Sequence, residues 1–176
     1  MKKENKKLLL IFSRYIFLVL IALPNLFLFY LVFTPLTINS VNFLLNFFYP
    51  SVISGDKILV NNTSIQIIQA CVAGSAFYLL LLLNLATPMK AKTRIYSIIF
   101  SFLVFLLINI ARIFIFSILY LNSFSYFDIT HKIFWYVISG IIVFFVWLAA
   151  IKIYKIENIP FYTDIKYFYR LTKPKK

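Results

Sequence analysis

The sequence predicts an all-α protein that crosses the membrane several times. Of its 176 residues, 62% are hydrophobic and only 13% are charged, and the mean hydropathy is +0.92. Soluble globular domains lie far from these values. We expect a single membrane-embedded domain over residues 1–176, with about four transmembrane helices, an interfacial helix and a short outward-facing β-hairpin.

The first predicted span covers residues 8–33 and follows a flank that contains four lysines. Its apolar run is longer than the roughly 7 to 15 residues of a signal-peptide core, and no small-residue cleavage site follows it. A spanning helix of about 20 residues fits better. We expect Pro24 to kink this helix, because proline removes a backbone hydrogen bond.

Residues 34–70 form the longest segment predicted to lie outside the spans. From Asn39 to Tyr49, asparagines recur at helical spacing among apolar residues, which is typical of a helix lying in the membrane interface. A re-entrant element is the alternative for this stretch. Farther along, residues 58–60 and 65–68 predict two short strands around a polar turn.

Three further spans are predicted over residues 71–87, 95–121 and 130–151, followed by a basic tail over residues 152–176. Of the 18 Lys and Arg residues, five precede residue 15, three lie in the 88–94 loop and seven lie in the tail. All three groups fall on one side of a four-span arrangement. Because positive flanks remain cytoplasmic, we expect both termini inside the cell and residues 34–70 outside. Charges distributed in this way do not indicate nucleic-acid binding.

The only cysteine, Cys71, opens the second span between polar residues and a leucine-rich run, which places its thiol at an aqueous boundary. A single cysteine excludes a C-x-x-C redox mechanism. One cysteine and one histidine cannot complete a four-ligand zinc site. Since no cofactor motif is present either, we expect neither a metal nor a cofactor.

Two more polar positions stand out in apolar surroundings. Arg112 lies in the outer half of the third span, three residues after Asn109 on the same helical face. A charged residue at this depth usually faces a bundle interior or a wet cavity, and snorkelling to the outer headgroups is the alternative. His131, the only histidine, opens the fourth span three residues after Asp128, which is a candidate N-cap or a partner that orients the imidazole.

The predicted topology places Cys71, Arg112 and His131 on the same side of the membrane. A helix amino-terminus favours a thiolate and disfavours an imidazolium, which suggests a nucleophile at Cys71 and a neutral base at His131. The guanidinium of Arg112 suits stabilisation of the thiolate or of a developing oxyanion. The set predicts covalent acyl transfer through a thioester.

These features resemble the exosortase/archaeosortase family of membrane-embedded cysteine transpeptidases, and the chain looks like a small archaeal member. The resemblance covers residues 66–140. It rests on Ala70-Cys71 with Gly74, on Asn109-Ile110-Ala111-Arg112, and on His131 at the start of the next helix.

The resemblance implies that Cys71 is the nucleophile, Arg112 the electrostatic stabiliser and His131 the acid/base, whereas Asn109 and Asp128 are added here from their spacing as supporting residues. It also implies substrates: exported proteins that end in a short motif, a transmembrane helix and a basic tail. Cleavage at the motif is followed by transfer of the new carboxyl end to an acceptor, a membrane lipid.

Two features leave the family branch open. Many members follow the cysteine directly with Ser-Gly or Thr-Gly, whereas Val72-Ala73 precede the glycine here, and some archaeal members carry arginine in place of His131.

The alternative function is a non-enzymatic membrane scaffold or a transporter subunit, which would explain the spans and basic flanks without needing the three polar residues.

Overall fold

The computed structural model describes residues 2–23, 25–156 and 169, and these are mostly helical. The helices are α1 (Lys2–Ala22), α2 (Phe27–Leu45), α3 (Gln69–Val72), α4 (Gly74–Ala86), α5 (Ala91–Leu121), α6 (Phe127–Ile133), a π-helix (Phe134–Ile138) and α7 (Ser139–Ile153). Strands β1 (Ser51–Ser54), β2 (Lys57–Val60) and β3 (Thr63–Gln66) lie between α2 and α3.

Four described segments are long and apolar enough to cross a membrane: Phe27–Leu45, Gln69–Ala86, Ala91–Leu121 and Phe127–Ile153. Large apolar side chains on them point away from the bundle, for example Leu107 (66% exposed) and Phe145 (61% exposed). Such surfaces suit a lipid environment, since soluble proteins rarely expose them contiguously. The predicted multi-pass helical membrane fold is therefore confirmed, and the last two spans begin within four residues of the predicted positions.

The predicted single span over residues 8–33 is wrong, because α1 ends at Ala22 and a separate helix, α2, starts at Phe27. Asn25 and Leu26 both have positive φ, 49° and 60°, which a continuous right-handed helix does not permit. Pro24 in the sequence explains why this point is weak, since proline cannot donate the helical hydrogen bond. The kink predicted at Pro24 falls on a residue outside the described ones, and α2 rather than residues 8–33 is the first candidate span.

The predicted interfacial helix at Asn39 to Tyr49 is also corrected, because its first half belongs to α2. Asn39 donates its side-chain amide to the Pro35 carbonyl (2.8 Å), and Asn46 donates to the Asn42 carbonyl (3.1 Å). These amides are satisfied by their own helix and do not require an interface. The segment between the first two candidate spans is correspondingly shorter than the predicted 34–70.

The predicted hairpin is present, with one strand added before it. The sheet order is β1-β2-β3, and both connections are two-residue antiparallel turns. Gly55 and Asn61 provide the positive φ values, 63° and 50°, that such tight turns require. The sheet leads through Ile67 and Ile68 directly into α3.

An aromatic cluster holds α2, α4 and α5 together. Phe33 stacks on Phe77 at 3.7 Å between ring centroids, and Phe77 meets Phe102 and Phe105 edge-on at 5.5 and 4.9 Å. Offset and edge-to-face ring pairs contribute about 0.5–1.5 kcal/mol each beyond their burial. This packing fixes α4 against α5.

Nearer the basic loop, α4 and α5 are joined by a buried polar cluster. Ser97 donates to Asn84 Oδ1, and Asn84 donates to the Leu80 carbonyl (2.8 Å) and to Ser101 Oγ (3.5 Å). All three polar side chains are at most 1% exposed. Interhelical hydrogen bonds of this kind contribute roughly 0.6–2 kcal/mol in membrane proteins.

Candidate active site

The second span is interrupted at Ala73, two residues after the cysteine. α3 has a single turn and ends at Val72, Ala73 is left-handed (φ 59°, ψ 44°), and α4 starts at Gly74. A Cβ on Gly74 would come within 2.7 Å of the Tyr30 ring, so a larger residue here would have to displace the Tyr30 side chain of α2. The break leaves the carbonyl groups of Cys71 and Val72 without the partners that a continuous helix would supply.

Side chains from α5 donate to these carbonyls. Asn109 Nδ2 donates to the Cys71 carbonyl at 3.0 Å and to the Val72 carbonyl at 3.3 Å, and Arg112 Nη2 donates to the Cys71 carbonyl at 3.1 Å. Asn109 is 2% exposed. The two residues predicted to share a helical face therefore do so, and both hold the backbone of the cysteine.

Arg112 makes a second bond that the sequence did not predict. Its Nη1 donates to Ser139 Oγ at 2.9 Å, and the Ser139 hydroxyl donates to the Phe134 carbonyl at 2.8 Å. Arg112 thus connects α3, α5 and α7, which disagrees with the alternative that it snorkels to headgroups. The sequence analysis missed Ser139 because its hydroxyl lies at the end of a π-helix, and a π-helix cannot be identified from sequence.

His131 lies one turn after the start of α6 and just before the π-helix. Its ring stacks on Phe127 (5.6 Å between centroids, 6° between planes), and its edge meets Phe116 (5.3 Å) and Trp135 (6.2 Å). No described residue hydrogen-bonds the imidazole. The aromatic neighbours set the plane of the ring while its nitrogens keep their hydrogen-bonding capacity.

Cys71, Arg112 and His131 line a common cavity of about 320 Å³. Its remaining walls come from β3 and the segment after it, from the outer part of α5 and from α6: Ser64, Ile65, Gln66, Ile67, Ile68, Ile113, Phe116, Ser117, Tyr120 and Phe127. A mostly apolar hollow with a few convergent polar groups is typical of a ligand site. Asn109 supports the cysteine from behind this cavity.

The cavity lies at the opposite end of the helical bundle from the basic loop. Arg112 is 21 positions after Ala91 in the same helix, which corresponds to about 30 Å along the axis. That distance matches the hydrocarbon thickness of about 30 Å. Arg94 marks the other end, where its Nη2 donates to the Thr87 carbonyl at 3.3 Å.

Two expectations about local electrostatics are corrected. Cys71 is the third residue of a one-turn helix and precedes the start of α4, and His131 lies in the second turn of α6. The partial positive charge at a helix amino-terminus acts only within the first turn, and it arises from the aligned peptide dipoles of the turns that follow. The fixed positive charge beside Cys71 is instead Arg112.

Asp128 is not brought into the site. Helix α6 is preceded by Tyr126 as its N-cap, so Asp128 lies in the first turn rather than at the cap, and no hydrogen bond or ion pair joins it to His131. It lines a separate hollow of about 410 Å³ with Thr63, Ser123 and Ser125. Asp128 is three residues before His131 in α6, and the hollow that it lines shares Tyr120 and Phe127 with the cavity of Cys71.

Together, the fold and the site define a multi-pass helical membrane protein with a cysteine, an arginine and a histidine around one cavity. No protein-family model, no curated protein and no solved structure matches this chain. Among the described residues, no group of three or more Cys, His, Asp or Glu side chains is arranged to hold a metal ion.

Proposed function

We propose that the chain is a membrane cysteine peptidase of the exosortase/archaeosortase type. It cleaves the carboxy-terminal sorting signal of exported proteins through a thioester and transfers the new carboxyl end to an acceptor, a membrane lipid. The observation that supports this proposal is the cavity shared by Cys71, Arg112 and His131. The proposal includes the orientation: both termini are cytoplasmic and the cavity faces outward, as the positive flanks favour.

In the first half of the reaction, the Cys71 thiol loses its proton to the neutral imidazole of His131. The sulfur attacks the carbonyl carbon of the scissile peptide bond, and the carbon–nitrogen bond breaks as the imidazolium gives its proton to the leaving amine. The product is a thioester on Cys71 and a free carboxy-terminal peptide. Aromatic packing fixes the imidazole ring plane during both proton transfers.

In the second half, His131 takes a proton from the acceptor nucleophile, which attacks the thioester carbonyl. The carbon–sulfur bond breaks, and the sulfur recovers a proton from the imidazolium. Water in place of the lipid acceptor would give simple hydrolysis. No oxidation or reduction occurs in either half.

Arg112 serves this chemistry in two ways. It holds the Cys71 carbonyl, so the cysteine is positioned through its own backbone and the sulfur remains unconstrained. Its guanidinium also carries a permanent positive charge, and the remaining N–H groups of that guanidinium can face a thiolate or an oxyanion. Because the group is already bonded before substrate arrives, little reorganisation accompanies charge development.

The test is processing of a tagged, secreted reporter that ends in a motif, an apolar helix and a basic tail taken from the same genome. Wild-type enzyme should shorten the reporter, and Cys71→Ala and His131→Ala should not. Ser117→Ala is the matched control: Ser117 also lines the cavity, but its hydroxyl donates to the Ile113 carbonyl of its own helix.

A trapped intermediate makes the test specific. Wild-type enzyme quenched during processing of the reporter should be examined by mass spectrometry for hydroxylamine-sensitive acylation of Cys71, and His131→Ala enzyme, which lacks the base for the first half, should show none. Processing that continues unchanged with Cys71→Ala would remove the mechanism. A scaffold or transporter subunit would leave every such reporter intact in the presence of wild-type protein.

A further inference from the structure

Strand β3 lies at the edge of the sheet, and the register shows which of its residues hydrogen-bond to β2. The turn between β2 and β3 has two residues, so Val60 and Thr63 close it as a hydrogen-bonded pair. The Ile67 N–H donates to the Asp56 carbonyl at 2.9 Å, which fits the same alternation four residues later. Hydrogen-bonded and non-hydrogen-bonded pairs alternate along an antiparallel ladder.

Because of this alternation, the backbone N–H and C=O groups of Ser64 and Gln66 point away from β2. Both residues belong to non-hydrogen-bonded pairs, opposite Leu59 and Lys57. No described residue donates to or accepts from these outward backbone groups. Both residues are exposed, so the free edge of β3 offers two N–H groups and two carbonyls.

The free edge faces the candidate active site. Residues 64–68 all line the same cavity as Cys71. Successive side chains of a strand point to opposite faces of the sheet, so an unbroken run of lining residues indicates that the edge of the strand, rather than one face, borders the cavity. The strand then continues along the chain into α3, which carries Cys71.

We propose that the substrate binds as an extended peptide that adds a strand to the free edge of β3, pairing with the outward backbone groups of Ser64 and Gln66. This inference rests on the proposed function, and the occupant is the segment of the exported protein that precedes its transmembrane helix. Strand addition gives affinity through the main chain, and pockets for alternate side chains give specificity.

The cavity lining also specifies the side chains of this peptide. Among the described residues, the lining includes no acidic side chain, and Arg112 is its one permanently charged member. Ile65, Ile113, Phe116 and Phe127 give the cavity apolar walls. The recognised motif should therefore place uncharged, small or apolar side chains at alternate positions.

The first test changes the enzyme. Ser64→Pro removes an outward N–H without deleting a bond between β2 and β3, and it should slow processing of the reporter about tenfold or more. Ser64→Ala changes the same side chain but keeps the N–H, and it should process the reporter several times faster than Ser64→Pro. Ile53→Pro removes an outward N–H from the opposite edge, on β1 and away from the cavity, and controls for proline in the sheet.

The second test leaves the enzyme intact and changes the substrate. Synthetic peptides of the reporter's signal, N-methylated at one residue at a time, are cleaved by the wild-type enzyme in detergent. Strand addition predicts that methylation blocks cleavage at every second residue before the cleaved bond, because only alternate N–H groups face β3. Uniform tolerance, or loss without alternation, would overturn strand addition.

The outcomes separate the two proposals. Cleavage that requires Cys71 but shows no alternation and no effect of Ser64→Pro rejects strand addition and retains the peptidase. Cleavage that persists with Cys71→Ala rejects the peptidase itself. A misfolded Ser64→Pro enzyme, recognised by its low amount in the membrane, leaves the N-methylation pattern to decide.

Discussion

Replacing Arg112 with lysine separates the charge of this residue from its geometry. Arg112 uses two different nitrogens to reach the Cys71 carbonyl at 3.1 Å and Ser139 Oγ at 2.9 Å. A lysine ammonium is a compact point charge on a flexible stem and lacks the planar fork that spans both acceptors. Arg112→Lys therefore keeps the positive charge and loses at least one charge-assisted hydrogen bond.

The magnitude follows from that lost bond. Hydrogen bonds to charged groups contribute about 1.5–3 kcal/mol, which corresponds to roughly a 10- to 150-fold slower reaction at 1.36 kcal/mol per factor of ten. Asn109 still holds the Cys71 carbonyl at 3.0 Å, so the fold should survive. Arg112→Ala, which also loses the charge, should be slower than Arg112→Lys.

The assay is the initial rate of reporter processing at equal amounts of enzyme in the membrane. Ser139→Ala supplies the second side of a double-mutant cycle: it should slow wild-type enzyme and add little to Arg112→Lys, because the two residues share one bond. A rate for Arg112→Lys equal to that of wild type would refute the reasoning, since charge alone would then suffice.

Further predictions concern stability and orientation. Gly74→Ala places a Cβ within 2.7 Å of the Tyr30 ring and should destabilise the protein by about 1–3 kcal/mol, and Tyr30→Val should restore most of the loss in thermal unfolding in detergent. Asn84→Leu removes the buried polar link between α4 and α5 and should cost roughly 0.6–2 kcal/mol in the same measurement while reporter processing continues. In a chain without its native cysteine, a new cysteine at Asn62 should react with a membrane-impermeant maleimide in intact cells, and one at Lys90 should react only after permeabilisation. Labelling in the opposite pattern would invert the proposed topology.

The last three spans and the three polar residues around the cavity could be predicted because both signals are strong in a membrane protein. A run of about 20 apolar residues is unusual outside a spanning helix, so Gln69–Ala86 and the two later spans were identified close to their observed positions. Within such runs, a lone cysteine, arginine or histidine is conspicuous. Cys71, Arg112 and His131 were therefore singled out, and the structure places them around one cavity.

The remaining features depend on tertiary contacts that leave a weak trace in the sequence. β1 has only two apolar residues, and it is held by pairing with β2 and by the bond from the Ser51 N–H to Asn46 Oδ1 at 3.0 Å. Ser139 could not be found from sequence because serines in apolar helices commonly bond to their own backbone. Its contact with Arg112 depends on the π-helix before it.

The break at Ala73 and the polar residues of α5 explain each other. A continuous helix would pair the carbonyls of Cys71 and Val72 internally, and the Asn109 amide and Nη2 of Arg112 would then lose these acceptors inside an apolar bundle, at a cost of about 1–3 kcal/mol for each unsatisfied group. A broken helix without those two side chains would instead leave the carbonyls unpaired. The left-handed residue costs roughly 1–2 kcal/mol, which the three bonds to the freed carbonyls offset. The sequence could identify Asn109 and Arg112 as unusual polar residues, but their role in binding the carbonyls of the broken helix is evident only from the structure.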